Sequence, residues 1–292
     1  TIAYLLFRIA DTFEDAAGWP KTRRLEALES FSALVAGCER AAAESDAGAR
    51  RAVRDEARKL AGSWTAGEPP VGHAGYLDLL AASPDVLDAF AGLPPEARRA
   101  VARHTRRTAD GMTGFVARHD GNGRLQLEDL DDLRHYCYVV AGIVGEMLTE
   151  LFLLAEPGLA PRADALTRRA ARFGEALQLV NILKDAAADA REGRRYLPDG
   201  VEPATVFGLA REDLLVATEY VRTLQQGGAS RGLLEFTALP VQLAWGTLER
   251  VESEGPGAKL TRKEVRGMVA ELGRRLEHGE PALRVPGGVT AG

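Results

Sequence analysis

Apolar residues recur along this chain at the three-to-four-residue spacing of helices buried on one side, and no stretch alternates with the period of two that marks a strand. The pattern predicts a first helix over 1–17, stopped by Gly18-Trp19-Pro20, a second over 21–46, and a shorter one to about residue 61. The Gly and Pro content of GSWTAGEPPVGHAG marks 62–75 as a loop. Short helices are expected over 76–92, and a helix opened by proline runs from LPPEARR to His119. DGNG, at 120–123, reads as a turn. Further helices are expected at 128–154, at 162–189 (stopped by EGRRYLPDG), and at 211–226, 230–253 and 261–277. The helices at 128–154 and 162–189 have stretches that are apolar around most of their circumference, which places them at the centre of a domain. With roughly ten helices, no internal repeat and no linker, the chain reads as a single all-α domain over 1–278 followed by a disordered tail, 279–292.

Composition narrows the partners. With 46% hydrophobic residues in 292, the chain can bury a sizeable core. A net charge of −5 gives no reason to expect a nucleic-acid partner; positive charge is local, in TRRLEAL, RRAVARHTRR and REGRRYLP. Cys38 and Cys137 sit inside helical patterns without metal-ligand spacing, which fits a reduced, cytoplasmic setting. No signal peptide is recognisable, and Glu146 and Glu150 break the longest apolar runs short of a bilayer span. A peripheral contact with the inner face of a membrane is compatible with this pattern; a crossing is not expected. The chain opens at Thr1 already inside a helix pattern, so an N-terminal segment is expected to precede it.

Two acidic stripes carry the chemistry. Positions four apart stack on one helical face, so Asp11 and Asp15 form a pair, with Tyr4 and Arg8 continuing the stripe and Glu14 beside it. Asn181, Asp185 and Asp189 form a second stripe. A lone Asp pair at this spacing is ordinary on a solvated face. Two such stripes embedded in apolar sequence would leave carboxylates buried unless a cation balances them. All-oxygen donors without His or Cys suit Mg²⁺ or Mn²⁺, and Mg²⁺ is commonly completed by water and substrate phosphates. Lys184, Arg194 and Arg195 lie beside the second stripe, where they can meet phosphate oxygens. A helical cavity with metal and diphosphate at its mouth implies ionisation chemistry: the metal takes the charge of the leaving group and an apolar pocket holds the carbocation.

RHYCYVVAGIVGEMLTELF supplies an apolar wall. Cys137, Ala141, Gly145 and Leu148 share a face, with Val144 and Phe152 beside it. The small residues at 141, 142 and 145 either leave room for a ligand or let two helices approach closely. Tyr136 could carry a proton or orient a diphosphate, and it equally fits a half-buried structural role. Phe236, four residues before Pro240 in LLEFTALPVQLAW, could face a cation from a kinked helix or belong to the core.

DTFED, YCYVVAGIVG and NILKDAAADAREGRRYLP resemble the squalene/phytoene synthase family, in the right order and at the right separations over nearly the whole chain. DTFED looks like the DTxED form found in squalene synthases. EFTALP resembles their FCAIP-like segment, and AKLTRKEV the lysine-containing flap near the C-terminus. The resemblance implies an all-α isoprenoid synthase bundle around a central cavity. It implies Mg²⁺ held by Asp11, Asp15, Asn181, Asp185 and Asp189, Tyr136 assisting proton removal, and Phe236 facing the cation. Substrate contacts fall on Glu14, Val140, Ala141, Val144, Gly145, Leu148, Leu177 and Gln178, and diphosphate and NADPH contacts on Tyr4, Arg8, Lys184 and Arg194. The implied reaction joins two farnesyl diphosphates head to head into presqualene diphosphate, then reduces that with NADPH to squalene. Lys184 stands where an Arg is usual, and Thr237 and Val241 depart from the common segment. Alternatives are an enzyme that stops at presqualene diphosphate, dehydrosqualene or phytoene, a single-substrate terpene cyclase on the same scaffold, and a non-catalytic helical protein.

Overall fold

A computed structural model describes residues 1–119, 125–191 and 193–284. The turn expected at 120–123 and the tail beyond 284 lie outside the described residues. Among the described residues helix dominates: twelve α-helices, one π-helical and one 3-10 segment, and two strands of two residues each, β1 (Leu125–Gln126) and β2 (Arg194–Arg195). The backbone groups into two compact units, Thr1–Leu125 and Gln126 onward, with no linker composition to mark the division.

The first unit holds α1 (Ile2–Glu14), α2 (Lys21–Ala43), α3 (Ala47–Thr65), α4 (Ala74–Ala81), α5 (Ser83–Ala91) and α6 (Pro95–Arg118). α1 ends three residues earlier than its pattern predicts, with Asp15 as C-cap. Its buried face, Leu6, Ile9 and Phe13, meets an aromatic cluster in which Phe13 lies 4.8 Å from Trp64 and 6.2 Å from Phe31. That cluster explains one difference from the sequence reading. Ser63-Trp64-Thr65, expected in a loop, forms the last turn of α3, because burying Trp64 outweighs the poor propensity of its neighbours. α2 and α3 separate at Asp46, whose carboxylate accepts from the Ala49 N–H at 3.0 Å as an N-cap.

The second unit holds α7 (Leu130–Cys137), α8 (Ile143–Ala155), α9 (Ala163–Arg191), α10 (Pro203–Gln226), α11 (Arg231–Glu254) and α12 (Arg262–Glu277). α9 is its central helix, packed by α8, α10 and α11. α10 begins eight residues earlier than expected, because Pro203 occupies a first-turn position where its missing N–H costs nothing. The helix expected at 128–154 is not continuous α-helix: Tyr138–Gly142 is π-helical, an insertion frequent at functional sites. By length and composition Leu130–Ala155, 26 residues, is long and apolar enough to cross a bilayer, despite Glu146 and Glu150. Here one of its faces packs tightly on α9. A Cβ at Gly145 would sit 2.0 Å from the Ala170 carbonyl oxygen, and one at Gly174 2.0 Å from that of Ala141.

The segment after α12 departs from its expected disorder. Ala282 and Leu283 are buried, Ala282 N–H donates to Gln225 Oε1 at 2.8 Å, and Gln225 Nε2 donates to the Glu280 carbonyl at 2.8 Å. The composition of 279–292 predicts disorder, but Ala282 and Leu283 bury apolar surface and dock residues 280–283.

Candidate active site

The acidic stripe of the first unit lies on the face of α1 opposite its aromatic anchor. Tyr4 is 59% exposed, and Arg8, Asp11 and Asp15 are half-buried. The carboxylates therefore line an open face rather than interrupt the buried one. Arg8 Nη1 lies 3.4 Å from Asp11 Oδ2, and its guanidinium stands 5.7 Å from the Tyr4 ring and 5.3 Å from that of Tyr76 on α4. Tyr76 carries no sequence signal for this role, since only the fold brings it to Arg8. Glu14 departs from the stripe and is buried. The end of α1 is held by buried Arg24, which donates to the Phe13 carbonyl at 3.3 Å and to that of Glu14. A third guanidinium nitrogen of Arg24 lies 2.8 Å from His119 Nδ1, which must therefore be the unprotonated, accepting nitrogen.

Burial pushes the Asp11 carboxyl up to about 7; Arg8 opposes that rise and the charge of Asp15 adds to it. A divalent cation between these two carboxylates, one turn apart, would relieve the repulsion of Asp15 on Asp11.

The second stripe occupies the last turns of α9. Asn181 is exposed; Asp185 and Asp189 are half-buried. Lys184 Nζ reaches Asn181 Oδ1 at 3.3 Å and Asp185 Oδ2 at 3.2 Å, and Arg194 Nη2 lies 3.5 Å from Asp189 Oδ1. Each of these carboxylates thus already has a cation beside it. The loop after α11 docks here: Gly257 N–H donates to the Lys184 carbonyl at 2.7 Å, with Gly255 and Gly257 at φ +91° and +93°, where glycine is favoured. This places Ala258-Lys259-Leu260, the expected flap segment, beside the stripe.

Among the described residues no three His, Cys, Asp or Glu side chains form a ready-made metal cage. The oxygen donors instead fit an ion such as Mg²⁺ that keeps water and takes phosphate oxygens.

At the foot of α9 a cavity of about 210 Å³ is lined by Ile182, Ala186, Asp189, Arg194, Tyr196 and Leu197, among others. Buried Tyr136 stacks on Tyr196, with ring centroids 4.8 Å apart, and its hydroxyl donates to that of Tyr196 at 3.2 Å. Tyr196 sits in the quoted GRRYLP segment, but spacing alone could not pair it with a residue sixty positions away.

The apolar wall divides in two. Gly142 and Gly145 are buried in close helix packing, so their small size serves the approach of α8 to α9 rather than ligand space. Val140, Ala141, Val144 and Leu148 remain half-buried, as do Leu177 and Gln178 on α9. Phe236 is 57% exposed and meets Phe152 edge-on at 6.1 Å. α11 continues through Pro240, which cannot donate to the Phe236 carbonyl. Glu175, which no sequence pattern singled out, is buried against the π-helical turn, 3.0 Å from where a Gly142 Cβ would lie. Burial first, then Asp213, pushes its carboxyl up to about 7 against the pull of Arg134 and Arg172.

Helices throughout, with acidic stripes on α1 and on α9, fit the all-α isoprenoid synthase fold. The chain matches the squalene/phytoene synthase family over residues 1–267 and belongs to that family. It is 26% identical to the Botryococcus squalene synthase of Botryococcus braunii over 216 residues, 73% of this chain and 38% of that protein. It is 26% identical to the squalene synthase of Schizosaccharomyces pombe over 272 residues, 86% of this chain and 53% of that one. A 15-cis-phytoene synthase of Enterobacter agglomerans is 36% identical over 130 residues, 40% of each chain. The chain thus spans from 38% to 53% of the length of these relatives. The structure of TcSQS with the ligand BPH1237 aligns with a TM-score of 0.64 at 23% identity, covering 95% of this chain and 80% of that one, which establishes the all-α isoprenoid synthase fold.

Proposed function

We propose that this chain is a prenyltransferase that joins two molecules of farnesyl diphosphate head to head, forming presqualene diphosphate and, with NADPH, squalene. The observation that carries the reading is the α1 stripe, where Tyr4, Arg8, Asp11 and Asp15 line one open face of the helix and Arg8 Nη1 lies 3.4 Å from Asp11 Oδ2. In this reading Asp11, Asp15, Asn181, Asp185 and Asp189 hold Mg²⁺, with Mn²⁺ as a substitute. When bound, Mg²⁺ neutralises the charge of the departing diphosphate.

The chain's own side chains do the rest. Arg8, Lys184 and Arg194 bind diphosphate oxygens, with Tyr4 positioned by Arg8. Val140, Ala141, Val144, Leu148 and Leu177 contact the prenyl chains and keep water from the cation, and Gln178 orients the substrate beside them. Phe236, with Phe152 at its edge, turns an aromatic face to the positive charge. Tyr136 accepts the proton released as the new ring closes. A product this apolar favours work at the cytoplasmic face of a membrane.

A second reading ends without reduction, at dehydrosqualene or phytoene, and the 36% identity to a 15-cis-phytoene synthase favours keeping it. Incubation with farnesyl diphosphate and Mg²⁺, with and without NADPH, separates the two by mass spectrometry. Squalene that depends on NADPH is the expected product. Dehydrosqualene regardless of NADPH would assign the non-reductive reaction, and a product containing one prenyl unit would sink the head-to-head reading.

A further inference from the structure

We propose that Tyr196 is a positioning residue for Tyr136: it fixes the Tyr136 ring and gives the Tyr136 hydroxyl proton a way out. This rests on the function proposed above, in which Tyr136 takes the proton released during the first condensation.

Three observations point to Tyr196. The two rings stack at 28° with centroids 4.8 Å apart, and both are buried, at 3% exposure for Tyr136 and 7% for Tyr196. The two hydroxyls are in hydrogen-bond reach, Tyr136 Oη donating to Tyr196 Oη at 3.2 Å. Tyr196 also borders the cavity lined by Asp189 and Arg194, so the pair connects a buried hydroxyl with that cavity. The segment carrying Tyr196 is itself clamped. Leu127 N–H donates to the Arg195 carbonyl at 3.2 Å, and Gln126 Nε2 donates to Asp199 Oδ2 at 2.6 Å.

A neutral phenol is a poor base, because accepting a proton would leave a hydroxyl oxygen carrying two protons and a positive charge. The obstacle disappears if the original proton departs as the new one arrives. In the step we infer, a C–H bond beside the cationic carbon breaks and its electron pair closes the cyclopropane of presqualene diphosphate. The proton passes to Tyr136 Oη, the original Tyr136 proton passes to Tyr196 Oη, and the Tyr196 proton passes to an oxygen of the released diphosphate in the cavity. Both tyrosines end neutral, and nothing is oxidised or reduced.

The test is Tyr196→Phe, which keeps the stacked ring and removes only the hydroxyl. Expected is a fall in kcat for presqualene diphosphate formation of about 10–100-fold with KM for farnesyl diphosphate within about twofold, the signature of a lost proton-transfer step. The solvent deuterium isotope effect on kcat should shrink. Tyr136→Phe/Tyr196→Phe should be no slower than Tyr136→Phe alone, because the two hydroxyls act as one unit. Wild-type kcat in Tyr196→Phe beside an inactive Tyr136→Phe overturns the relay and leaves the proposed function standing. A raised KM or lowered melting temperature with kcat intact assigns Tyr196 a structural role only and also overturns it. A fully active Tyr136→Phe removes both the relay and the role given to Tyr136.

Discussion

The acidic stripe on α1 and the one on α9 solve the same problem in different ways. α1 is amphipathic: Leu6, Ile9 and Phe13 anchor one side, and the carboxylates stand on the other, where Arg8 pairs with Asp11. α9 is packed along most of its length, by glycine contacts to α8 and by α10 and α11, and becomes polar only in its last turns. There each carboxylate has its own cation, Lys184 for Asp185 and Arg194 for Asp189. On α1 the charge of Asp15 works against ionisation of Asp11, whereas on α9 Asp185 and Asp189 each lie beside a cation. Equal roles in a family motif do not require equal electrostatics.

The largest expected effect treats the stripes as equals. Asp11→Ala and Asp185→Ala should each lower turnover by at least about 10²-fold, the scale of losing a preorganised electrostatic group. Both should leave the far-ultraviolet helical signal intact, because neither carboxylate belongs to the core. Turnover that survives Asp185→Ala and not Asp11→Ala would confine metal binding to α1 and break the comparison.

A smaller effect separates the helices by packing. Gly174→Ala places a methyl 2.0 Å from the Ala141 carbonyl oxygen, a backbone atom that cannot step aside cheaply. It should destabilise the protein by about 1–3 kcal/mol, read as a lower urea midpoint. Tyr4→Ala removes far more atoms from α1, yet Tyr4 is 59% exposed, so its cost should stay within about 0.5 kcal/mol. Similar losses for the two variants would mean that α9 relaxes around the added methyl and is less tightly held than its glycine contacts imply.

Much of this was legible in the sequence, because helical periodicity reports packing directly. The stripe positions and the centrality of α9 follow from spacing alone. The errors share a physical cause: local signals lose to tertiary contacts that lie far apart in the chain. Ser63-Trp64-Thr65 looks like loop until Trp64 meets Phe13, and residues 203–210 show no helix signal until Pro203 serves as a helix start. Gly145 fits ligand room or close packing equally until Ala170 is found against it. A π-helical turn differs from an α-helical one by a single residue of registry and leaves no trace in the apolar pattern. Glu14 looks equivalent to its acidic neighbours, but a rotation of one position around the helix carries it from the open face to the buried one. Tyr76 and Tyr196 owe their roles wholly to long-range contacts.

The smallest effect sharpens the electrostatic contrast. Asp11 and Glu175 both titrate near 7 in the folded chain, well above the range of an unfolded carboxyl near 4. For an acid raised in this way the folded state holds the extra proton, so its stabilising share is full below about pH 4, fades as pH rises toward 7 and is gone above that. Glu175→Gln should therefore be more stable than wild type at pH 8, by on the order of 1–3 kcal/mol, and close to it at pH 4. Asp11→Asn should show the same trend in metal-free buffer. Saturating Mg²⁺ should then tell them apart. A cation on the α1 face takes the place of the Asp11 proton and erases the advantage of Asp11→Asn, while Glu175 lies against the π-helical turn of the second unit, so Glu175→Gln should keep its advantage. Denaturation midpoints at pH 4, 6 and 8, with and without Mg²⁺, measure both. If Mg²⁺ flattened the Glu175 profile and spared that of Asp11, the metal site would have to be sought beside the π-turn.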